Sequence, residues 1–185
     1  MPRLIENPRE LILSEAKKIL YNEGYSSISI RRVAKECDIA VGTIYNYFPT
    51  KKDLIIEMMT SFWKDYFLDI EIVIDSQENF YAKLKSIFKN LAQFIKKFKD
   101  IWLKDELYSS HDYIESGLKR KNIYIDKLIT VIEELLRKHM YSYGDKENFD
   151  TKKMASFIVM NFITMAQMPY FDYEFFESIL KKSIQ

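Results

Sequence analysis

Apolar residues recur along this chain with the spacing of helices rather than of strands. In residues 8–23 leucine, isoleucine and alanine fall on one helical face, with Asn7 as N-cap and Pro8 as the first helical residue. Gly24 follows as the C-terminal stop, because glycine tolerates a left-handed backbone. The pattern therefore predicts a first helix over residues 8–23.

Two short helices are predicted next, joined by a turn of three or four residues. Ser29 is a suitable N-cap for a helix over residues 30–36, and Asp38 occupies the turn, where aspartate tolerates a left-handed backbone. The second short helix covers roughly residues 40–47. The residues expected to close a small three-helix core are Ile39, Ile44 and Phe48. Positions 41, 42, 43, 45 and 46 then face outward, which is the arrangement of a helix-turn-helix.

A long helix is predicted from Lys51 to about Ile74, because apolar pairs recur every four residues along it. Further helical patterns cover residues 80–95, 101–108, 125–136, 152–168 and 173–180. No glycine- or serine-rich linker interrupts this series, so the long helix is expected to be a rigid joint. The sequence predicts an all-α protein with a helix-turn-helix domain at residues 1–50 and a second helical domain at residues 51–185.

The segment over residues 152–168 is apolar on nearly all sides. Such a helix needs a core on one face and a partner on the other, so residues 150–183 are predicted to form a two-helix homodimer surface. Polar residues recur through the uncharged part and Pro169 breaks it, which favours a buried helix over a membrane span. Charged residues near the N-terminus interrupt any apolar run, so no signal peptide is expected. We expect a soluble, cytoplasmic protein.

Composition adds few constraints. The formal net charge is +1, so charge alone does not indicate a nucleic-acid partner. The single cysteine, Cys37, excludes an internal disulfide and is expected to be a small buried apolar residue. Neither metal-ligand spacing nor a nucleophile with a base is found in the sequence, so an enzyme and a bound cofactor are not expected.

Residues 40–47 carry the strongest chemical signal. Gly42 costs about 1 kcal/mol relative to alanine in a helix interior, which suggests that its backbone must approach another molecule closely. Tyr45 can donate its hydroxyl to a phosphate, and Thr43 can reach a phosphate or a thymine methyl. Lys51 begins the next helix, where an anion is favoured, and Arg31 could contact guanine. This combination indicates contact with DNA.

The sequence GTIYNYF followed by TKKDL resembles the TetR family of transcriptional regulators over roughly residues 8–60. The resemblance implies a homodimer with an N-terminal DNA-binding helix-turn-helix and a helical C-terminal domain for ligand binding and dimerisation. Most such proteins are repressors released by a small ligand. Matched position by position, the DNA-facing residues are Ser29, Arg31, Val41, Gly42, Thr43, Tyr45, Tyr47 and Lys51; charge and outward position add Arg32 and Asn46. Tyr47 could instead pack in the small core, and the two arginines could be solvated surface charge.

Three positions depart from the family pattern. Asp38 stands where the turn usually has glycine, and Ala40 stands where the recognition helix usually has a polar cap. Losing that cap costs about 1 kcal/mol and removes a phosphate contact. Arg32 occupies a position that is often acidic. The docking mode is expected to survive these changes, whereas the operator sequence is left open.

No motif identifies a ligand. The residues expected to line a cavity for an apolar or aromatic ligand, or else to pack as ordinary core, are Met59, Phe62, Trp63, Tyr66, Phe88 and Trp102. His111 is expected at a helix break, either on the surface or against a polar ligand group. The favoured function is a ligand-responsive, dimeric repressor on a pseudo-palindromic operator of double-stranded DNA. The alternative is a helical small-molecule-binding protein with a non-functional helix-turn-helix, suggested by Ala40 and the weak basic charge.

Overall fold

The computed structural model describes residues 6–102, 111–141, 149–168 and 170–184, with side chains for all of these except 98–102 and 111–121. They form α1 (Pro8–Glu23), α2 (Ile30–Glu36), α3 (Val41–Tyr47), α4 (Lys51–Asp75), α5 (Phe80–Trp102), α6 (His111–Tyr141), α7 (Thr151–Gln167) and α8 (Tyr173–Ile184), with a short 3-10 turn at Tyr25–Ser27. These ranges contain no strand, so the predicted all-α class is confirmed. None of the helices described is both long and apolar enough to span a membrane.

Contacts divide the chain into two compact units. The first comprises Met1–Trp63 with Phe98–Leu118, and the second comprises Lys64–Lys97 with Lys119–Gln185. The division falls inside α4 rather than at its first residue. The predicted domain boundary at residues 50 and 51 stays a prediction, because packing units do not report which segments fold alone.

Side-chain caps fix the helix starts of the first unit. The Asn7 side chain accepts a hydrogen bond from the Glu10 amide at 3.4 Å, and Ser29 Oγ accepts one from the Arg32 amide at 3.1 Å. At the start of α4, Thr50 and Asp53 cap each other: Asp53 N donates to Thr50 Oγ1 at 3.1 Å, and Thr50 N donates to Asp53 Oδ2 at 3.0 Å. A reciprocal pair of this kind satisfies two donors that the helix cannot.

The core of the first unit is built from all four of its N-terminal helices. Its fully buried side chains, each at 0% exposure, are Ile12, Ala16, Val33, Ile44, Leu54, Ile55 and Met58. Arg9 adds an ion pair from α1 to Glu57 of α4, at 3.1 Å, and its guanidinium lies over the ring of Phe48. The first half of α4 is therefore part of the same core as α1–α3.

Among the described side chains Phe162, on α7, is the largest that is fully buried, and it lies at the centre of an aromatic cluster in the second unit. Its ring contacts Phe88 of α5 at 5.3 Å, and Tyr173 and Phe176 of α8 at 6.1 and 5.5 Å between centroids. Lys85 of α5 pairs with Glu174 of α8 at 2.8 Å. One aromatic cluster thus holds α5, α7 and α8 together.

Helix bounds agree closely with the pattern in the first unit and less well beyond it. The predicted separate helix over residues 101–108 is wrong at its start, because Ile101 and Trp102 are the last residues of α5. No glycine or proline lies between residues 80 and 102, so nothing ends that helix earlier. Residues 103–108 lie outside the described ranges. Similarly, α6 begins at His111 rather than near Ile125.

Candidate functional site

The turn between α2 and α3 is closed by two backbone hydrogen bonds. Ile39 N donates to Ala34 O at 3.1 Å, and Asp38 N donates to Lys35 O at 3.2 Å. Asp38 itself has φ 53°, so it takes the left-handed conformation that this Schellman ending requires and that glycine adopts at no steric cost. The predicted left-handed aspartate is confirmed. A residue with a Cβ has fewer allowed backbone angles at this turn than glycine would have.

The helix α3 buries a single residue. Ile44 is at 0% exposure, and Phe48, just after the helix, is at 2%. Tyr45 is 49% exposed and Tyr47 is 40% exposed. The predicted outward positions are exposed at Val41, Gly42, Tyr45 and Asn46, whereas Thr43 is half-buried. A row of exposed side chains on a helix held by one core contact is suited to meet another molecule.

Gly42 is the second residue of α3, and the fold gives no reason for a glycine there. A Cβ built on it would meet nothing within 4 Å, and its φ is not positive. Gly24 differs, because its φ of 85° favours glycine. The space beside Gly42 therefore lies outside the first unit's own packing.

The basic residues around the two short helices are not equivalent. Arg32 is held by two carboxylates, with Nε donating to Glu36 at 2.8 Å and Nη2 donating to Glu23 at 3.0 Å. Arg31 is exposed and makes no ion pair within the described part of the chain. Lys51 Nζ lies over the Tyr25 ring, 4.7 Å from its centroid. The sequence analysis predicted DNA contacts for all three cations and did not predict the partners of Arg32 and Lys51. Only the pairing of Arg32 with Glu36 could have been found, from its i,i+4 spacing.

The helix α3 has no side-chain cap. Its N-cap residue Ala40 makes no capping hydrogen bond, whereas Ser29 caps α2 as predicted. Ala40 leaves an exposed methyl group at the start of α3. Compared with a polar cap, Ala40 therefore changes both the stability and the surface of α3.

The residues expected to line a ligand cavity belong to different parts of the structure. Phe62 packs edge-on against Tyr21 of α1 at 5.6 Å, in the first unit, and Met59 lies on the same core. In the second unit Tyr66 contacts Phe94 at 5.1 Å, and Phe88 contacts Phe162. Trp63 is half-buried, and the side chains of Trp102 and His111 lie outside those described. The ligand site stays a prediction.

Cys37 is 6% exposed, and its Sγ lies 3.9 Å from the Leu11 carbonyl oxygen. Burial, with Glu15 and Glu36 nearby, raises the pKa of its thiol from 9.0 to about 11. A neutral thiol is a poor nucleophile, so Cys37 has the buried, apolar role that the sequence suggests. No group of three or more metal-ligating side chains occurs among the residues that the structure describes.

The pKa of Cys37 predicts an alkaline loss of stability. Because the folded state favours the neutral thiol, this contribution is complete below pH 9 and is lost as the pH rises towards 11. We expect the free energy of unfolding, measured with urea from pH 8 to 11, to fall more steeply for the wild type than for Cys37→Ala. Equal slopes in the two proteins would contradict a buried thiol.

Known proteins match this arrangement. A family model described as "Bacterial regulatory proteins, tetR family" matches residues 12–58, which contain most of α1 and all of α2 and α3. The uncharacterized HTH-type transcriptional regulator YuxN of Bacillus subtilis is 29% identical over 136 residues, covering 69% of this chain and 46% of YuxN. The chain thus aligns with about half the length of that curated relative.

Solved structures share the fold over nearly the whole chain. A transcriptional regulator from Cytophaga hutchinsonii has a TM-score of 0.74 at 17% identity, covering 96% of this chain and 93% of that one. The TetR family regulator CifR, solved with a 26-base-pair operator DNA, has a TM-score of 0.60 at 12% identity, covering 95% of this chain and 98% of its own. Residues 12–58 therefore match the helix-turn-helix of the TetR family of bacterial regulatory proteins, and solved transcriptional regulators share the all-helical fold over nearly the whole chain.

Proposed function

We propose that this protein is a dimeric, ligand-responsive DNA-binding regulator, and a repressor released from its operator by a small apolar or aromatic molecule. The observation that carries the proposal is the outward face of α3. Five of its seven residues are exposed and uncharged, and the open space beside Gly42 lets a second backbone approach. A recognition helix places such a face in the major groove.

Each exposed group has a DNA contact that fits its chemistry. Tyr45 and Tyr47 present hydroxyls that can donate to phosphate oxygens, and the 40% exposure of Tyr47 favours that role over core packing. Ser29 stands at the start of α2 with its hydroxyl proton available for a phosphate, since Oγ only accepts from the backbone. Arg31 supplies an exposed positive charge beside them. Arg32 would have to give up two carboxylates to contact DNA, so we assign it to hold α2 against α1.

A dimer surface is proposed on α7 and α8. Large apolar side chains are exposed there with helical spacing, and we call them the α7–α8 face: Phe157, Met160, Met168, Phe175 and Ile179. The opposite faces of these two helices pack in the buried cluster around Phe162. Several large apolar side chains exposed on two neighbouring helices are typical of an interface, and two copies of one surface pair by a twofold axis. The dimer would present two recognition helices to half-sites whose centres are about 34–36 Å apart.

Ligand control is proposed from the aromatic content of the helical half. A ligand releases DNA only if it binds better to the dimer whose recognition helices miss the operator spacing. The rings of Tyr66 and Phe88, with Met59, Phe62, Trp63 and Trp102, remain the proposed lining. Mass spectrometry of a copurified molecule is the direct test. Ligand control would be contradicted if the protein carries no such molecule and if no added apolar ligand releases it from DNA.

The proposal as a whole is tested by a gel shift of the full chain with DNA from upstream of its own gene, against random duplex of the same length at moderate salt. Preferential binding of the upstream DNA supports the regulator. Equal binding of both duplexes favours the alternative, a helical small-molecule-binding protein whose helix-turn-helix no longer functions. The uncapped start of α3 is the observation that favours this alternative.

Lys51 and Arg32 provide a matched pair for the electrostatic part of binding. Lys51→Ala is expected to reduce the slope of log K against log salt concentration by about one, the value for one lost phosphate contact. Arg32→Ala is expected to leave the slope unchanged, because its guanidinium is already neutralised by Glu23 and Glu36. Fluorescence anisotropy across a salt series measures both slopes. An unchanged slope for Lys51→Ala would remove this lysine from the interface.

A further inference from the structure

We propose that α3 reads A·T base pairs, with Val41 and Ala40 packing on thymine methyl groups and Asn46 bonding to adenine. This inference rests on the proposed function and specifies the DNA that the same site selects. It assigns base-reading roles to an alanine and a valine that have no hydrogen-bonding side chain.

The charge of α3 restricts what it can read. The residues Val41–Tyr47 include no lysine, arginine, aspartate or glutamate. The commonest contact to guanine is a bidentate bond from arginine or lysine, and cytosine is read by a carboxylate. The recognition helix can make neither. Its base contacts must be apolar or come from neutral amides and hydroxyls.

The direction of each side chain follows from the burial of Ile44. At 100° per residue, Gly42 and Asn46 lie roughly 160° and roughly 200° around the helix from Ile44, at the centre of the outward face. Within the described part of the chain, Asn46 makes no hydrogen bond and is exposed. An asparagine amide can donate to adenine N7 and accept from N6. Gly42, one turn earlier, leaves the space that lets this short side chain reach a base edge.

The start of α3 supplies the apolar contacts. Ala40 is exposed as the N-cap, and Val41 is 37% exposed as the first helical residue. The N-terminal residues of a recognition helix are those that reach base edges. In the major groove the C5-methyl of thymine is the apolar group that distinguishes one base from the others. A polar cap at position 40 would be hydrated there. Alanine at this position therefore replaces a hydrated group by an apolar contact.

Arg31 is expected to contact a guanine that lies outside the base pairs read by α3. It is the second residue of α2 rather than part of α3, and its exposed guanidinium is suited to a guanine at the edge of the half-site. The inferred half-site therefore has an A·T centre with guanine confined to one end.

The test is selection of duplexes from a random pool with the full chain, followed by base analogues in the selected half-site. We expect A·T pairs at its central positions. Replacing each central thymine by uracil, which lacks the methyl group, should weaken binding about fourfold. Thymines outside the half-site serve as the control and should tolerate uracil. In Val41→Ala the preference for thymine over uracil should fall at the position that Val41 reads and persist at the position that Ala40 reads, and Asn46→Ala should lose on the order of tenfold preference for adenine.

The outcomes separate this inference from the function beneath it. Selection of G·C pairs at the centre, or uracil tolerated there by the wild type, would overturn the inference while leaving a DNA-binding regulator. Failure to select any sequence above random duplex would overturn the proposed function as well. Val41 and Asn46 are exposed, so both variants should fold, and their thermal unfolding checks this.

Discussion

Met160→Asp is expected to convert the proposed dimer into a monomer and to weaken operator binding by about a hundredfold or more. Met160 belongs to the proposed α7–α8 face and is 45% exposed. In a twofold interface the substitution buries two carboxylates at once, and such desolvated or like charges cost several kcal/mol. A monomer then loses the second half-site contact, which a dimer makes intramolecularly.

Ile72→Asp is the matched control for this experiment. Ile72 is 72% exposed, also lies in the second unit, and belongs to α4 rather than to α7 or α8. Like Met160→Asp, this substitution replaces an exposed apolar side chain by a carboxylate. Sedimentation at several protein concentrations and circular dichroism would be measured for both variants. A folded Met160→Asp protein that stays dimeric would place the dimer interface elsewhere.

Gly42→Ala is expected to stabilise the protein while weakening its binding to DNA. Its φ is compatible with alanine and the added Cβ meets nothing within 4 Å, so a gain of about 0.4–1 kcal/mol in the free energy of unfolding is expected. The same methyl group stands where a DNA backbone or base edge is proposed to approach. Gly42→Leu places a larger side chain in the same space and should prevent at least two base or phosphate contacts. The expected loss of affinity is on the order of a hundredfold.

Gly24→Ala gives the opposite result and serves as the control. Gly24 adopts φ 85°, where a Cβ is strained, so this variant should lose about 1–3 kcal/mol of stability. It lies at the end of α1, outside the recognition helix, and its folded form should bind the operator as the wild type does. Urea unfolding and DNA titration of both variants separate the two effects. A Gly42→Leu protein with unchanged affinity would exclude close approach at α3.

Local signals made the first unit predictable from sequence. The side chains of Asn7 and Ser29 cap the starts of α1 and α2, and the backbone of Gly24 ends α1. These bounds can therefore be predicted from the local sequence. The left-handed Asp38 follows in the same way. Apolar spacing alone then identified Ile44 as the residue that anchors α3.

Contacts between distant residues could not be predicted in this way. The pairing of Arg32 with Glu23 depends on how the chain turns between α1 and α2, and the Lys51 contact with Tyr25 depends on where α4 begins in space. Aromatic residues were visible in the sequence, but their grouping around Phe162 depends on the packing of three helices. A ligand site assembled from such residues has no local pattern to identify it.

Because α3 buries only Ile44, its specificity can evolve almost independently of its folding. Substitutions at exposed positions usually change stability by no more than about 0.5 kcal/mol, so Val41, Tyr45 and Asn46 can vary without loss of the fold. A gene duplicate could therefore acquire a new operator through a few point mutations, each passing through a folded intermediate. Sequence variation among descendants should concentrate on this face, with Ile44 and Phe48 as the fixed points of the helix.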